Sequence, residues 1–86
     1  MEYTVETKNR LKRVEGQVRG VQKMMNEGKD CKDVIHQLSA ARAALDRAST
    51  FIVAQNLEEC IRQQAEKGED SSELVKEAIE LLGKGI

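Results

Sequence analysis

The first quarter of the chain alternates apolar and polar residues with the period of a helix. Apolar residues recur in steps of three and four, the spacing of one stripe along an amphipathic α-helix. The members of this stripe are Leu11, Val14, Val18, Val21 and Met25. Gly28 follows shortly after and can adopt the left-handed backbone that closes a helix. The pattern predicts a first helix over about residues 4–26.

A second apolar seam follows with no glycine or proline between Cys31 and Lys67. Its members are Ile35, Leu38, Leu45, Ala48, Ile52 and Ile61. Asp30 is placed to be the N-cap, with its carboxylate accepting N–H groups of the first turn. A helix over about residues 30–66 would be roughly 55 Å long at 1.5 Å per residue. A rod of that length needs packing partners outside its own chain, because a globule of this size is much narrower.

A short third helix ends the pattern. Gly68 interrupts the second seam, and the run Asp70-Ser71-Ser72-Glu73 supplies an N-cap and an acidic first turn. The apolar residues that follow predict a helix over about residues 72–83. The chain has no proline and only two aromatic residues, which favours an all-α fold. Its 86 residues have room for one domain, residues 1–86, whose small core favours oligomerisation.

The net charge of −1 hides an uneven distribution. Residues 1–25 carry six Lys or Arg against three Asp or Glu, whereas residues 54–86 carry four against eight. On the first helix the basic residues gather opposite the apolar stripe and on one flank of it, with Gly16 and Gly20 between the two groups. Most charged helix faces are simply solvated, but this one is a candidate surface for DNA phosphates. The candidate DNA-binding residues are Lys8, Lys12, Arg13, Gln17 and Arg19.

The two cysteines are the candidate reactive groups. No stretch approaches the roughly 18 apolar residues of a membrane span, and the start does not resemble a secretory signal, so a cytoplasmic location and no membrane partner are expected. In that reducing compartment Cys31 and Cys60 are expected to be reactive thiols or metal ligands rather than a permanent disulfide. Two lone cysteines on an apolar face can also be simple buried hydrophobes.

Cys31 and Cys60 cannot meet within one continuous helix. They are 29 residues apart, or about 43 Å, whereas a disulfide needs Cα atoms within about 7 Å. An antiparallel second copy, paired about a two-fold axis near residues 45 and 46, would bring Cys31 beside Cys60 of the partner subunit. The helix N-terminus favours an anionic sulfur at Cys31, with Asp30 opposing it, so Cys31 suits attack and Cys60 suits resolution.

Three segments of the chain resemble one known family. The runs RLKRVEGQVRGVQKMM (10–25), CKDVIHQLSAARAAL (31–45) and NLEEC (56–60) resemble the copper-sensitive operon repressor family, CsoR/RcnR. The resemblance covers nearly the whole chain. It implies a three-helix protomer, an antiparallel dimer forming a four-helix bundle, usually a dimer of dimers, and a repressor that releases double-stranded operator DNA when its inducer binds. It does not imply an enzyme.

The metal-ligand positions of that family are only partly kept in this chain. Its copper sensors have cysteines at the positions of Cys31 and Cys60 and a histidine at that of Asn56, and an amide is a poor donor for soft Cu(I). They also tend to have tyrosine where Asp30 stands. The nickel-sensing branch needs extra histidines, and the formaldehyde-sensing branch lacks the second cysteine. The chain looks most like the persulfide-sensing branch, CstR.

The resemblance therefore implies a homo-oligomeric repressor without a cofactor or a bound metal. Its inducers would be sulfane-sulfur donors, which link Cys31 to the partner's Cys60 through a di-, tri- or tetrasulfide, with Asn56 and Asp30 beside the thiols. The alternative is a Cu(I)-responsive repressor that uses the same two cysteines as thiolate ligands. A thiol redox enzyme is disfavoured by the absence of Cys-x-x-Cys and of a general base. An inert helical scaffold remains as the last alternative.

Overall fold

The computed structural model describes residues 1–83, and most of them lie in three α-helices. Helix α1 spans Val5–Asn26, α2 spans Cys31–Glu66 and α3 spans Ser72–Leu82. No strand occurs within the described residues, so the all-α prediction is confirmed. Each helix begins and ends within one residue of the expected bounds. Residues 84–86, which the predicted domain includes, lie outside the described part of the chain.

The ends of the helices follow local backbone chemistry. The side chain of Thr4 caps α1 by accepting the backbone N–H of Thr7 at 3.1 Å. Gly28 and Gly68 close α1 and α2 with φ of +67° and +73°, the left-handed conformation expected of a glycine at a helix end. Asp30 is the N-cap residue of α2, but its side chain forms no capping hydrogen bond. The expected carboxylate cap is therefore wrong, and since Asp30 is exposed, water can solvate the free N–H groups instead.

Helices α1 and α3 each pack against α2 and not against each other within the described residues. Both run antiparallel to α2: α1 covers its first half, and α3 covers its second half. The resulting body measures 52 × 28 × 17 Å. No helix among the described residues is long and apolar enough to cross a membrane.

The core of the single chain is thin and made of small side chains. Its buried apolar residues are Val14, Val21, Ala41, Ala48 and Ala78. The predicted stripes of α1 and α2 therefore divide lengthwise, because one neighbouring helix covers only part of a stripe that is at least about 100° wide. The uncovered part, here named the open seam, is between 47% and 57% exposed. The open seam consists of Leu11, Val18, Met25, Ile35, Leu38 and Leu45.

Candidate functional site

Both cysteines belong to α2, and the helix is continuous between them. Cys31 is its first residue and is exposed, whereas Cys60 is half-buried, and both thiols are free. The 29 intervening steps separate their backbones by about 43 Å. The two sulfur atoms therefore cannot meet within one chain, and the structure does not bring the two predicted sensor residues together.

Cys60 lies in a groove where α3 and the N-terminal arm, residues 1–4, approach α2. The groove has a volume of about 160 Å³ and a mostly apolar wall. Its lining residues are Tyr3, Ile52, Val53, Asn56, Leu57, Cys60, Leu74, Glu77, Ala78 and Leu81. A second depression continues from Cys60 past Met1 to Gln64 and Lys67. The thiol of Cys60 donates to Met1 Sδ at a sulfur–sulfur distance of 3.5 Å.

The polar groups near Cys60 differ in whether they are engaged: Gln64 Oε1, in the second depression, is buried without a hydrogen-bond partner among the described residues, whereas Asn56 and the acidic pair before Cys60 are bonded within the chain. Asn56 Nδ2 donates to the backbone carbonyl of Ile52 at 2.8 Å, so this side chain is held against its own helix although it lines the same groove as Cys60. Arg62 pairs with Glu58 at 3.1 Å and also with Glu59. The single positive charge of Arg62 offsets one of the two negative charges that precede Cys60. The other residue expected beside a thiol, Asp30, adjoins Cys31 in the chain and is exposed.

The predicted DNA-binding residues divide into two groups. Lys8, Lys12 and Arg19 are exposed on the outer face of α1, where Arg19 pairs with Glu15 at 3.1 Å. Arg13 and Gln17 instead line a pocket of about 130 Å³ between α1 and α2. The other residues that line it are Arg10, Val14, Ala44, Arg47 and Ala48. At 100° per residue, this pocket lies on the side of the α1–α2 pair opposite the open seam.

The four polar residues of this pocket, Arg10, Arg13, Gln17 and Arg47, are here named the arginine pocket. The guanidinium of Arg10 lies 3.8 Å from the ring centroid of Phe51, in cation–π contact. Arg10 Nε and Gln17 Oε1 are buried without a hydrogen-bond partner among the described residues. Buried polar atoms of this kind are normally satisfied, so the pocket is suited to a polar or anionic group from outside the chain.

Arg47 was missed by the sequence analysis because the charge pattern was read along α1 alone. Its signal was nevertheless present. The turn at Gly28 sets the antiparallel register of the two helices, and counting outward from that turn places Arg47 opposite Arg10. Met1 gave no comparable signal, because nothing in the periodicity of the helices fixes the direction of the N-terminal arm.

The sequence and the helical arrangement match those of a known family. A family model described as a metal-sensitive transcriptional repressor matches residues 4–84. The chain belongs to this family. It is accordingly a member of the metal-sensitive transcriptional repressors of CsoR type, as the sequence resemblance implied.

The repressor is similar to two bacterial proteins in sequence and to one solved structure in both sequence and fold. It is 57% identical to the uncharacterized protein YrkD of Bacillus subtilis (strain 168) over 61 residues. These aligned residues cover 71% of this chain and 97% of YrkD. It is 33% identical over 76 residues to the copper-sensing transcriptional repressor CsoR of the same strain, covering 88% of this chain and 74% of CsoR. The copper-sensing repressor CsoR with Cu(I) from Geobacillus thermodenitrificans NG80-2 superimposes with a TM-score of 0.65 and 32% identity, covering 98% and 91%. The two named sensors are repressors and not enzymes.

The family description implies a response to metal, and the residues of one chain fit this only in part. Among residues 1–83, no group of three or more His, Cys, Asp or Glu side chains could hold an ion. Asn56 directs its amide group to the backbone of its own helix. The soft donor atoms that do lie together are the sulfur atoms of Cys60 and Met1. A conventional ligand set is thus not formed by these residues of a single chain.

Proposed function

We propose that this repressor is a homo-oligomer that binds operator DNA and releases it when sulfane sulfur links Cys31 of one subunit to Cys60 of its partner. The observation that carries the proposal is the placement of two free thiols about 43 Å apart on one continuous helix. Only a second chain can join them. A repressor acts where its DNA lies, which keeps the cytoplasmic location expected from the sequence.

The open seam supports an antiparallel dimer. Six large apolar side chains, each about half exposed, run along one side of the α1–α2 pair, and a continuous apolar surface of this kind is typical of a subunit interface. Pairing two chains about an axis near Leu45 covers the seam in a four-helix bundle. It also places the start of each α2 at the groove around Cys60 of the other chain. The further assembly of two dimers into a tetramer rests on the family resemblance.

The sensing reaction proceeds by thiol exchange. The Cys31 thiolate attacks the outer sulfur of a persulfide RSSH, forms a Cys31 persulfide and expels the thiolate RS⁻. The thiolate of the partner's Cys60 then attacks the inner sulfur of that persulfide and expels hydrosulfide, which leaves a disulfide between the chains. The two cysteines are oxidised, and the sulfane sulfur is reduced to sulfide. Each further donor that reacts before closure adds one sulfur to the bridge and releases one more thiol.

A bridge between chains would change how the DNA-binding surfaces are spaced. Lys8, Lys12 and Arg19 on the outer face of α1, together with the arginine pocket, supply cations for DNA phosphates. Because α1 is packed directly on α2, a covalent link that shifts one α2 against its partner also shifts the two basic surfaces. The linked state then binds DNA more weakly, and that difference in affinity is what drives release.

Mass spectrometry of polysulfide-treated protein tests this proposal. The expected products are dimers joined through Cys31 and Cys60, some of them retaining extra sulfur. The Cys31→Ser variant should bind operator DNA normally and fail to respond to polysulfide. The Cys60→Ser variant should keep a persulfide on Cys31 without forming the link. Recovery of only unmodified monomers, or loss of DNA binding in Cys31→Ser, would refute the proposed role of the thiols.

A Cu(I)-responsive repressor that uses the same two cysteines is the second candidate. The observation that favours it is the similarity to two copper-sensing repressors. DNA binding measured in parallel with polysulfide, Cu(I), formaldehyde and peroxide separates the two candidates. Release by polysulfide supports the sulfur-sensing function. Release by stoichiometric Cu(I) without a response to polysulfide would replace it with the copper-sensing one.

A further inference from the structure

The N-terminal arm brings a second sulfur atom to the sensor groove. Met1 Sδ lies 3.5 Å from Cys60 Sγ. Met1 is 42% exposed and Cys60 is half-buried, so a small ion can reach both atoms. The capping of α1 helps to set the direction of the arm, because Thr4 is extended, with φ −69° and ψ 159°, and bonds to both the backbone N–H and the hydroxyl of Thr7.

We propose that Met1 Sδ, Cys60 Sγ and Cys31 Sγ of the partner subunit form an all-sulfur site for a soft monovalent cation, with Cu(I) as the ion that fits best. Thiolate and thioether are soft donors, and Cu(I) is one of the metals that such donors favour. The site rests on the antiparallel dimer of the proposed function, because its third sulfur comes from the other chain. It does not rest on the sulfane-sulfur reaction.

The sulfur–sulfur distance is compatible with a shared ion. Two sulfur atoms that each lie about 2.3 Å from one metal are roughly 3.8 to 4.0 Å apart at tetrahedral to trigonal angles. The observed 3.5 Å is within a few tenths of an ångström of this, and the exposed Met1 side chain can make the adjustment by rotation. Binding would displace the thiol proton of Cys60 and release it to solvent.

Met1 supplies what Asn56 does not. The amide of Asn56 donates to the Ile52 carbonyl at 2.8 Å, and an amide is in any case a poor donor for a soft ion. A thioether is soft and uncharged, so it completes three-coordination without adding a further negative charge to the site. Because the ion would engage both cysteines, its presence would also protect them from sulfane sulfur.

The test varies the sulfur atom of Met1 alone. The Met24→Leu/Met25→Leu variant leaves Met1 as the sole methionine, and it is produced with methionine, selenomethionine or norleucine, which replaces the sulfur by a methylene group. Intact-mass measurement checks that Met1 is retained. With selenomethionine, X-ray absorption of the Cu(I)-loaded protein should show selenium bound to copper. With norleucine, Cu(I) affinity in competition with a coloured chelator should fall at least about tenfold, the lower end of what loss of a supporting group costs a metal site.

Three results would overturn the proposed site. They are an absent copper–selenium signal, equal Cu(I) affinity of the methionine and norleucine proteins, and a mature chain that lacks Met1. Polysulfide cross-linking of the same three preparations separates this failure from that of the proposed function. Cross-links through Cys31 and Cys60 without a copper–selenium signal refute the role of Met1 and leave the sulfur sensor standing. Failure of both the cross-links and the copper–selenium signal refutes the shared antiparallel dimer.

Discussion

The two halves of α2 are covered in different ways, although each faces one helix of its own chain. The first half presents the small side chains of Ala41 and Ala48 to α1, and its larger residues Ile35 and Leu38 stay about half exposed. In the second half, Ile52, Val53, Leu57 and Ile61 are all half-buried, with α3 and the N-terminal arm forming a groove over Cys60. In the proposed dimer, the first half of α2 is completed by a second chain, whereas the groove over the second half receives the start of the partner's α2.

The largest expected effect comes from breaking the open seam of the first half. Leu45 is 47% exposed in the single chain and lies beside the proposed two-fold axis, so Leu45→Glu would place two like charges close together. It would also remove the burial of two leucines, worth about 1.5–3 kcal/mol each. We expect sedimentation to show a monomer that no longer binds operator DNA or forms cross-links.

The matched control is Ile79→Glu on α3. Ile79 is 62% exposed and lies outside the open seam, so this variant should remain a dimer. A Leu45→Glu protein that sediments as a dimer would show that the chains associate through another surface. Dissociation of the Ile79→Glu protein would place the interface on the second half instead.

Much of the fold could be predicted from the sequence, because helix period and helix ends are local properties. Stripes of period 3.6 located the helices, and Gly28 marked the first turn. The division of each stripe could not be predicted in the same way. Which of Val14 and Leu11 becomes buried depends on where α2 lies, and this is a tertiary property. The hydrophobic pattern therefore predicts one seam per helix, whereas in the structure each seam has a covered part and an open part.

The candidate site was predictable to a similar extent. The position of Cys31 at the start of a helix and the distance to Cys60 follow from helix geometry alone. The surroundings of Cys60 do not, because they depend on how α3 and the N-terminal arm fold back onto α2. Met1 and Tyr3 are 59 and 57 positions from Cys60 in the chain, and no local pattern links them. The arginine pocket likewise required residues of two helices to be considered together.

The second prediction is that the first half of α2 contributes to DNA binding. Arg47 lines the arginine pocket, and no carboxylate among the described residues pairs with it in a salt bridge. Arg47→Ala should weaken operator binding and make its dependence on the logarithm of salt concentration shallower by about one unit. Fluorescence anisotropy across a salt series measures both effects.

Arg62→Ala in the second half is the control for this experiment. Arg62 is bound to Glu58 and Glu59, so its removal should leave the salt dependence of DNA binding unchanged. The assignment of the DNA surface is wrong if Arg47→Ala keeps the wild-type salt dependence, or if Arg62→Ala changes it by the amount expected of Arg47→Ala.

The third prediction compares the reactivity of the two thiols. In the Leu45→Glu background, where a partner no longer covers the chain, exposed Cys31 should react with iodoacetamide faster than half-buried Cys60. Tyr3→Ala opens the groove and should raise the alkylation rate of Cys60 roughly severalfold, because thiol reactivity follows solvent access. The alkylation rate of Cys31 should stay unchanged. Peptide mass spectrometry over a time course gives both rates.

Tyr3→Phe is the matched control. It keeps the aromatic ring, so both alkylation rates should equal those of the parent protein. Equal acceleration of both thiols by Tyr3→Ala would instead mean that the substitution loosens the whole fold.

The smallest expected effect lies at the start of α3, where the chain reverses direction after the second half of α2. Asp70 accepts the backbone N–H of Ser72 at 3.0 Å and its hydroxyl at 2.9 Å, and these two bonds lower the pKa of Asp70 below its ordinary value of 3.8. A depressed carboxyl pKa stabilises the fold above the ordinary value, and this stabilisation is lost as pH falls through the lower folded pKa. Because Asp70 is fully exposed, we expect a change in titration rather than a measurable change in stability.

Ser72→Ala removes the hydroxyl bond and keeps the backbone bond, so the pKa of Asp70 should rise part of the way back towards 3.8. Nuclear magnetic resonance titration of the Asp70 side chain resolves this, with Ser71→Ala as the control that leaves the pKa unchanged. The start of α2 provides the contrast, since Asp30 makes no side-chain capping bond there. If the Asp70 pKa were the same in Ser72→Ala as in the parent, the hydroxyl of Ser72 would not help to hold the turn into α3, and only the backbone bond would distinguish this turn from the start of α2.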